Sequence, residues 1–505
     1  MTWFLRAAAA VAGGLLPLSL SPFGYEWLAL LTVAALFALI ERFPNQVLSL
    51  GVAFGLGKYA VGVSWVYVSI HQFGNASVPL ALALVGLFVV GLTVLFTVPQ
   101  FLLLKGLLAL RPRPLERVLL FVTLWVLSEW LQTWLLTGFP WLFAGSGQLT
   151  SAYLGYAPVF GVLGVSAVVV GSATALVYAV QQLLGRRIRT GFLSFSVVAA
   201  LYGAGLGFDR ISWVELGLPR SVALVQGNVD QATKWRPENR EPIIGRYLEL
   251  SAPHWGRDLI VWPEASITLL EHQAAPRLQR WSRQGEARGT TLVLGIPSVQ
   301  PDPRSETGYR FNNMAVALGA GEGRYAKRRL VPFGEYVPLE SVLRGLIDFF
   351  DLPMSRARPG DRRQRLLDLD GVPASMAICY EIAYPDLIAA DVPEAQVLLT
   401  ISNDAWFGAS IGPHQHLQLA QMRAREAGRY VLRSTNSGVT AIIDERGRIV
   451  DRLAQFQPGV LTGEFRPATG ATPYARYGDL PLLVLVVLAA LAVVSLRAFA
   501  PGQSR

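Results

Sequence analysis

The sequence of 505 residues contains one cysteine, Cys379, and few charged residues. A single cysteine cannot form an intramolecular disulfide, so a disulfide-stapled fold is excluded. Charged residues make up 16% of the chain and hydrophobic residues 52%, whereas an ordinary soluble domain carries roughly 25% charged residues. This composition excludes intrinsic disorder and does not match an average soluble enzyme. The sequence also lacks a glycine-rich phosphate loop of standard spacing, which argues against an ATP-driven mechanism.

The shortage of charge is confined to the first part of the chain. Residues 1–208 contain 14 charged residues, and residues 209–505 contain the other 65. Two thirds of the net charge of +9 lies in the apolar part. A nucleic-acid-binding protein would place its basic residues along a soluble face, so no nucleic-acid partner is predicted. Membrane topology explains the positive charge better.

Eight apolar stretches are candidate membrane-spanning helices, because a bilayer core takes about 20 apolar residues per helix. They cover residues 6–21, 25–40, 47–70, 78–104, 117–136, 154–183, 191–208 and 480–496. Basic residues cluster in alternate loops and the loops between them carry almost no charge, as the positive-inside rule requires. A cleaved signal peptide is the alternative for the first stretch, but the alternation of the loops needs that stretch as a span.

This charge pattern predicts three domains. Residues 1–208 form a membrane domain of seven helices, residues 209–479 form a domain outside the cytoplasm, and residues 480–505 form the last helix with a cytoplasmic tail. Lys58 and Glu129 lie within or near the predicted spans. They either snorkel or pair inside the bundle, or they mark a polar site near the outer leaflet.

Short β-branched runs alternate with helical segments in the outer domain, which indicates a layered α/β fold. The predicted strands are Ser221–Gln226, Leu259–Trp262, Thr291–Gly295, Met314–Leu318, Ala374–Cys379, Val397–Ser402, Tyr430–Ser434 and Thr440–Ile443, with a further strand near Ile449. The predicted helices lie near residues 238–251, 274–288 and 413–428.

Cys379 closes an apolar run in this outer domain. It is either a small buried hydrophobic residue or a nucleophile, and a nucleophilic thiol needs a base. One candidate base is a histidine, and His414 and His416 lie two positions apart in one predicted helix. The other candidate is a carboxylate whose pKa is raised by burial. The two histidines are also a possible metal pair, but no second cysteine is available as a ligand, and no metal is predicted.

Two further segments supply charged groups that thiol chemistry uses. Glu264 ends the apolar run Val261–Glu264, where a solvated surface is not expected, and Lys327 and Glu335 share the segment Tyr325–Glu335. A lysine beside a thiol favours the thiolate and stabilises a developing oxyanion. Each residue alone has an ordinary structural explanation, so only the set indicates a catalytic site.

The three segments resemble the Glu–Lys–Cys triad of the nitrilase, or carbon–nitrogen hydrolase, superfamily: Glu264 in Trp-Pro-Glu, Lys327 in Tyr-Ala-Lys and Cys379 in Cys-Tyr-Glu. A domain of this kind that follows seven predicted membrane spans and precedes an eighth resembles the apolipoprotein N-acyltransferase family in particular. Further matching stretches are Leu136–Trp141, Gln226–Asn228, Lys234–Trp235, Val331–Pro338, Ser402–Gly408, Gly412–His416, Thr435–Gly438 and Thr472–Asp479. The resemblance implies a bundle of about eight transmembrane helices and an α/β nitrilase-like αββα sandwich.

The resemblance also implies a ping-pong N-acyl transfer. A phospholipid, expected to be phosphatidylethanolamine, acylates Cys379, and the thioester then acylates the α-amino group of the diacylglyceryl-cysteine of an apolipoprotein. Glu264 is the implied base, and Lys327 with the backbone N–H of Tyr380 holds the oxyanion. No cofactor is expected. The implied setting is the bacterial inner membrane, with membrane lipid around a monomer and the catalytic domain on the periplasmic side.

Several other residues match positions that matter in this family. Glu335 and Glu381 are predicted to support the triad, and Glu335 either holds Lys327 or shares the role of base. The predicted substrate-binding residues are Trp235, Pro338, Phe349, Phe350 and Trp406. Trp235 either lines the acyl groove or is a core aromatic residue. Residues 346–354 are either a lid that dips into the outer leaflet or a loop with ordinary packing.

Two other functions are compatible with parts of the sequence. A membrane-tethered nitrilase-type amidase would use the same triad on a small carbon–nitrogen substrate, but seven spans exceed what tethering needs. A transporter with an external binding domain would need functional charges in the bundle, where Lys58 and Glu129 are the only candidates. The transporter would also leave the Glu–Lys–Cys set unexplained.

Overall fold

The computed structural model describes residues 2–303, 308–336 and 357–498. The chain divides into two compact units. The helical unit comprises Met1–Tyr67, Val78–Ser212 and Thr472–Arg505, and the α/β unit comprises Val68–Ser77 and Trp213–Ala471. A short piece of the first part of the chain therefore belongs to the second unit.

The helical unit consists of apolar helices, which satisfy their own backbone hydrogen bonds and so suit a lipid environment. The helices of the first part of the chain are α1 Thr2–Leu15, α2 Trp27–Arg42, α3 Val47–Gly62, α4 Val66–Val68, α5 Val78–Leu92, α6 Val98–Leu108, α7 Pro114–Leu131, α8 Ala157–Leu184 and α9 Ile188–Asp209. The short helix α4 leads into the segment Val68–Ser77 of the α/β unit. After the α/β unit the chain returns to the helical unit and forms α14 Pro473–Tyr477 and α15 Leu480–Ala498. Each of the eight predicted spans overlaps a helix.

Five helical stretches in the described residues are long and apolar enough to cross a membrane. They are Thr2–Ser19, Val78–Leu108, Ala152–Leu184, Ile188–Asp209 and Leu480–Ala498. The helices Trp27–Arg42 and Pro44–Gly62, bent by 113° at their junction, give a sixth if they form one span. Eight crossings remain a prediction. Within the predicted span 47–70, α3 ends at Gly62, and the segment Val68–Ser77 belongs to the α/β unit.

Polar groups inside the helical unit are held by specific partners. Glu129 is buried, and its Oε1 accepts hydrogen bonds from Trp125 Nε1 and from the backbone N–H of Ala144, each at 2.8 Å. Lys58 is buried as well, with its ammonium 5.1 Å from the ring centre of Tyr59. Lys58 and Glu129 line one cavity of about 20 Å³, enough for a water molecule. This geometry supports the interpretation that the two charges interact inside the bundle.

The α/β unit is built from two six-stranded sheets and a small two-stranded one. Its strands are β1 Val214–Leu216, β2 Arg220–Gln226, β3 Leu259–Val261, β4 Thr291–Pro301, β5 Tyr309–Gly319, β6 Gly323–Ala326, β7 Leu367–Asp368, β8 Pro373–Ile378, β9 Val397–Ser402, β10 Val431–Thr435, β11 Ala441–Ile443, β12 Ile449–Arg452, β13 Gly459–Phe465 and β14 Ala468–Gly470. The strand orders are β13-β2-β3-β4-β5-β6 and β12-β11-β10-β9-β8-β7, and β1 pairs with β14.

The two large sheets pack face to face with helices outside them. One apolar cluster contains Val222 and Leu224 of the first sheet with Leu399 and Ile401 of the second, so it lies between the sheets. A second cluster joins the other face of the first sheet to α10 Arg240–Ser251 and α11 Glu271–Arg288. The second sheet is accompanied by α12 Pro385–Asp391 and α13 Gly412–Ala427. The predicted αββα sandwich is confirmed.

The topology brings three strand ends to one site. Strands β2, β3 and β4 run parallel, as do β8, β9 and β10. Glu264 follows β3 and Cys379 follows β8, while Lys327 follows the antiparallel strand β6. Carboxyl ends of parallel strands in α/β folds are where ligands commonly bind.

Candidate active site

Cys379 lies at a sharp turn between β8 and a short 3-10 helix, Cys379–Ala383. The strand ends at Ile378, one residue earlier than predicted. The φ angle of Cys379 is +55°, a left-handed conformation that costs energy for a residue with a Cβ. Residues held in this way cluster at functional sites. The next side chain, Tyr380, is buried and meets the ring of Tyr384 edge-on at 5.2 Å.

Glu381 connects this turn to the segment that carries the catalytic lysine candidate. Its buried carboxylate accepts hydrogen bonds from the backbone N–H groups of Ile378 at 2.8 Å, Arg328 at 2.6 Å and Arg329 at 2.9 Å. The hydroxyl of Tyr325 donates to both oxygens at 2.9 Å. Burial raises the pKa of Glu381, although the three backbone hydrogen bonds and the charge of Lys327 act in the opposite direction. Glu381 is therefore placed to hold the turn and the lysine segment in register.

The two predicted acids and the lysine form one buried cluster. Lys327 Nζ lies 2.8 Å from Glu335 Oε1 and 3.5 Å from Glu264 Oε1. Asn313 Nδ2 donates to both carboxylates, at 2.7 Å to Glu264 Oε1 and 3.2 Å to Glu335 Oε1. The other oxygen of Glu264 accepts the backbone N–H of Asn403 at 2.8 Å. Both carboxylates are thus fixed on either side of one ammonium group.

Charges in this cluster act on the thiol of Cys379. Burial raises the pKa of Cys379, and the carboxylate of Glu264 raises it further, while the ammonium of Lys327 lowers it. Burial alone would lower the pKa of Lys327, but Glu335 and Glu264 outweigh it, so the pKa rises. At neutral pH the site therefore holds a neutral thiol beside an ammonium group and needs a base to form the thiolate.

A second polar network contacts the backbone of Cys379. His416 Nε2 is 3.0 Å from the backbone oxygen of Cys379, and Nδ1 is 3.0 Å from Asp404 Oδ1. Asp404 also binds Arg433 and the hydroxyl of Ser402, and all four side chains are buried. His416 therefore contacts the backbone of Cys379, and the carboxylate Glu264 is the better candidate base. In the described residues no cluster of three or more His, Cys, Asp or Glu suits a metal ion.

Trp406 lies beside the segment that the first part of the chain contributes. It belongs to the short helix Asp404–Phe407, and its backbone oxygen accepts a hydrogen bond from Ser69 Oγ at 2.7 Å. Its ring meets that of Phe73 edge-on at 5.7 Å. The segment Val68–Ser77 therefore packs against the residues that follow β9.

Trp235 is partly buried in a turn next to the site. Its neighbour Lys234 is fully buried, and Lys234 Nζ donates to the backbone oxygen of Glu264 at 3.2 Å. The remaining predicted substrate-binding residues, Pro338, Phe349 and Phe350, lie outside the described residues.

Asn313, Asn403 and the ammonium group of Lys234 contact the predicted base, but the sequence did not single them out. Asn312 and Asn313 form a polar pair inside the apolar strand β5, and this interruption was the available signal. Asn403 contributes its backbone N–H, which carries no signature in the side-chain pattern. Lys234 lies in one of the stretches that carry the family resemblance, without a feature of its own that indicates this contact.

Family models match both parts of the chain. The carbon-nitrogen hydrolase model matches residues 221–474, and the apolipoprotein N-acyltransferase N-terminal domain model matches residues 12–175. Among solved structures, Saccharomyces cerevisiae Nit3, a member of branch 10 of the nitrilase superfamily, is 18% identical with a TM-score of 0.35, covering 57% of this chain and 97% of that chain. An amidase from Nesterenkonia sp. is 17% identical with a TM-score of 0.36, covering 54% and 97%.

Full-length relatives are more similar. The apolipoprotein N-acyltransferase of Pseudomonas syringae pv. tomato is 42% identical over 498 residues, covering 97% of both chains. That of Azotobacter vinelandii is 44% identical over 497 residues, covering 97% of this chain and 95% of the relative. That of Methylococcus capsulatus is 40% identical over 483 residues, covering 94% and 93%. The chain therefore belongs to the apolipoprotein N-acyltransferase family, with a carbon–nitrogen hydrolase domain as its α/β unit.

Proposed function

We propose that this chain moves a fatty acyl group from a phospholipid to the N-terminal amine of a diacylated apolipoprotein, through a thioester on Cys379. One observation carries the proposal. Cys379 lies at a strained turn, and the pKa of its thiol is raised by the charge of Glu264 and lowered by the charge of Lys327. A nucleophile, a base and a cation are the groups that acyl transfer requires.

In the first half-reaction Glu264 accepts the proton of Cys379, and the sulfur attacks the carbonyl carbon of the sn-1 ester. Lys327 and the backbone N–H of Tyr380 stabilise the oxyanion. The ester C–O bond then breaks, and the lysophospholipid leaves with the proton held by Glu264. In the second half-reaction the lipoprotein amine attacks the thioester and gives a proton to Glu264. The C–S bond breaks and the thiolate of Cys379 recovers that proton.

Lipid substrates explain why such an enzyme carries apolar helices. Burying one CH₂ group is worth about 0.8 kcal/mol, so drawing an acyl chain of roughly fifteen such groups into water would cost on the order of 12 kcal/mol. The acyl chain of the thioester therefore stays in apolar surroundings, where excluding water also protects it from hydrolysis. We infer that the predicted substrate-binding residues line this groove: Trp235, Pro338, Phe349, Phe350 and Trp406. Phosphatidylethanolamine is the proposed donor.

We further propose that the protein is a monomer in the bacterial inner membrane with its catalytic domain, residues 209–479, in the periplasm. The basic residues of alternate loops support this orientation through the positive-inside rule. The segment Val68–Ser77 supports it as well, because this charge-free loop between two predicted spans belongs to the α/β unit. Domain borders near residues 208 and 480 complete the proposal.

Mass spectrometry of the purified protein incubated with phosphatidylethanolamine vesicles tests the function. The peptide that contains Cys379 should gain the mass of a fatty acyl group, and a diacylated lipopeptide should discharge it. Cys379→Ala should gain no acyl mass, and Cys379→Ser should form an oxygen ester that the lipopeptide discharges poorly. Turnover of lipopeptide without any adduct on Cys379 would refute the thioester. Hydrolysis of small amides in place of transfer would favour the amidase.

A further inference from the structure

His416 is a buried histidine whose contacts the proposed half-reactions do not use. It lies on α13, and its Nε2 faces the backbone oxygen of Cys379 at 3.0 Å. We propose that His416 is a positioning residue that fixes the Cys379–Tyr380 peptide group, so that the Tyr380 N–H is directed toward the acyl oxyanion. This inference rests on the proposed acyl transfer and names the part of the chain that builds its oxyanion site.

The peptide geometry gives the direction of the N–H. The Cys379–Tyr380 peptide bond is trans, and in a trans peptide the C=O and N–H bonds point in opposite directions. A backbone oxygen can only accept, so the His416 Nε2–H donates to it. With the oxygen of Cys379 held toward His416, the N–H of Tyr380, which lies in the same plane, points away from His416.

The hydrogen bond also opposes a conformational alternative. Cys379 has a φ of +55°, and a residue with a Cβ is more stable in the right-handed or extended regions. Relaxation of this turn would rotate the peptide group and redirect the N–H of Tyr380. A buried donor on the oxygen of Cys379 makes that rotation costly, because the buried imidazole of His416 would lose its hydrogen-bond partner without access to water.

His416 is itself held in place from behind. Its Nδ1 lies 3.0 Å from Asp404 Oδ1, and the guanidinium of Arg433 binds the other oxygen of Asp404. Burial acts to raise the pKa of Asp404, but Arg433 and His416 outweigh it and the pKa falls, so the carboxylate is charged. Gly438 closes the network, since a Cβ there would overlap the carboxylate of Asp404. An imidazole anchored this firmly can fix a neighbouring peptide group.

Two polar substitutions separate the contacts of His416. The amide of glutamine extends about as far as the imidazole Nε2, whereas the amide of asparagine extends only about as far as Nδ1. His416→Gln therefore keeps the donor to Cys379, and His416→Asn keeps the contact with Asp404 but loses that donor. His414→Asn is the matched control, because residues two positions apart on a helix do not share a face.

The experiment measures two reactions of Cys379 in the full-length detergent-solubilised protein. One is the single-turnover rate of acyl-Cys379 formation from phosphatidylethanolamine. The other is the rate of alkylation by iodoacetamide, which forms no oxyanion. His416→Asn should slow acylation by about 100-fold, the usual effect of losing one oxyanion donor, and leave alkylation near the wild-type rate. His416→Gln and His414→Asn should keep both rates near those of the wild type.

Two outcomes would overturn the inference. Acylation of His416→Asn at the wild-type rate would show that the peptide needs no external donor. An equal loss of acylation and alkylation in His416→Asn would show that His416 shapes the whole site and has no selective effect on the oxyanion. If wild-type Cys379 forms no thioester in the same assay, the proposed function fails first, so the two failures are distinguishable.

Discussion

Replacing Asn313 by alanine should weaken acylation of Cys379 without unfolding the α/β unit. Asn313 is buried on β5, and its Nδ2 donates to Glu264 Oε1 at 2.7 Å and to Glu335 Oε1 at 3.2 Å. It is the only neutral side chain in the described residues that bonds both carboxylates. In Asn313→Ala, Glu264 keeps the backbone N–H of Asn403 and the ammonium group of Lys327 but loses a hydrogen-bond donor that it shares with Glu335.

The expected size of the effect follows from the strength of such bonds. A hydrogen bond to a charged group contributes about 1.5–3 kcal/mol. If about 2 kcal/mol of this is expressed in the transition state for acylation, the rate falls by about 30-fold, since 1.4 kcal/mol corresponds to tenfold. Asn313→Asp should be worse. At an effective dielectric constant near 20, a third carboxylate about 3 Å from the other two adds repulsion on the order of 5 kcal/mol with each of them before relaxation.

Asn312 supplies the control for this measurement. Successive side chains of a strand point to opposite faces, and Asn312 Nδ2 donates to the backbone oxygen of Arg358 at 2.9 Å. Both asparagines are buried. Single-turnover acylation should therefore fall in Asn313→Ala and stay near the wild-type rate in Asn312→Ala, with melting temperatures measured in parallel. Equal acylation rates in the two variants would refute the assigned role of Asn313.

Three other perturbations test separate parts of the structure. Burial lowers the pKa of Lys234 from 10.5 to about 8. Between these pH values the unfolded chain holds a proton on Lys234 that the folded protein lacks. The free energy of unfolding of the wild type minus that of Lys234→Met, measured by chemical denaturation, should therefore rise with pH. A free-energy difference that does not change with pH would contradict this. Glu129→Leu should cost about 3 kcal/mol, because it leaves the buried charge of Lys58 uncompensated, and Lys58→Leu added to it should restore much of the loss. A double variant with a melting temperature no higher than that of Glu129→Leu would refute the interaction. Gly438→Ala should displace Asp404 and lower both the melting temperature and the acylation rate, and unchanged values for both would show that the network tolerates the shift.

The layered fold could be predicted because its signals are local. The apolar run before Glu264 contains β3, and the apolar run that ends at Cys379 contains most of β8. The alternation of such strands with helices predicts the layered sheets. The sequence patterns did not single out β1, β6, β7, β13 and β14 as strands, and these are mostly short or lie at the edges of their sheets. Edge strands are often short and carry charged residues or proline, which weakens their hydrophobic pattern.

The contacts of the site could not be predicted, because they depend on register between distant residues. Asn313 and Glu264 form a hydrogen bond although they are 49 residues apart in sequence, and His416 and Cys379 are 37 residues apart. A shift of one residue in β5 would turn Asn313 to the opposite face. The segment Val68–Ser77 shows the same limit. Its sequence resembles a bare loop between two spans, and only tertiary packing shows that it belongs to the α/β unit.

The presence of two carboxylates beside one lysine has a chemical reason. In the proposed reaction, transfer of a proton from Cys379 to Glu264 leaves the net charge of the cluster of Glu264, Glu335, Lys327 and Cys379 unchanged. When Glu264 becomes neutral, Lys327 still has Glu335 at 2.8 Å, closer than Glu264 at 3.5 Å. A lysine with Glu264 as its only partner would be left as a buried, unpaired cation at that moment, and such a charge is costly. We therefore propose that Glu335 keeps Lys327 protonated during the proposed acyl transfer, so that its ammonium group is available to each oxyanion in turn.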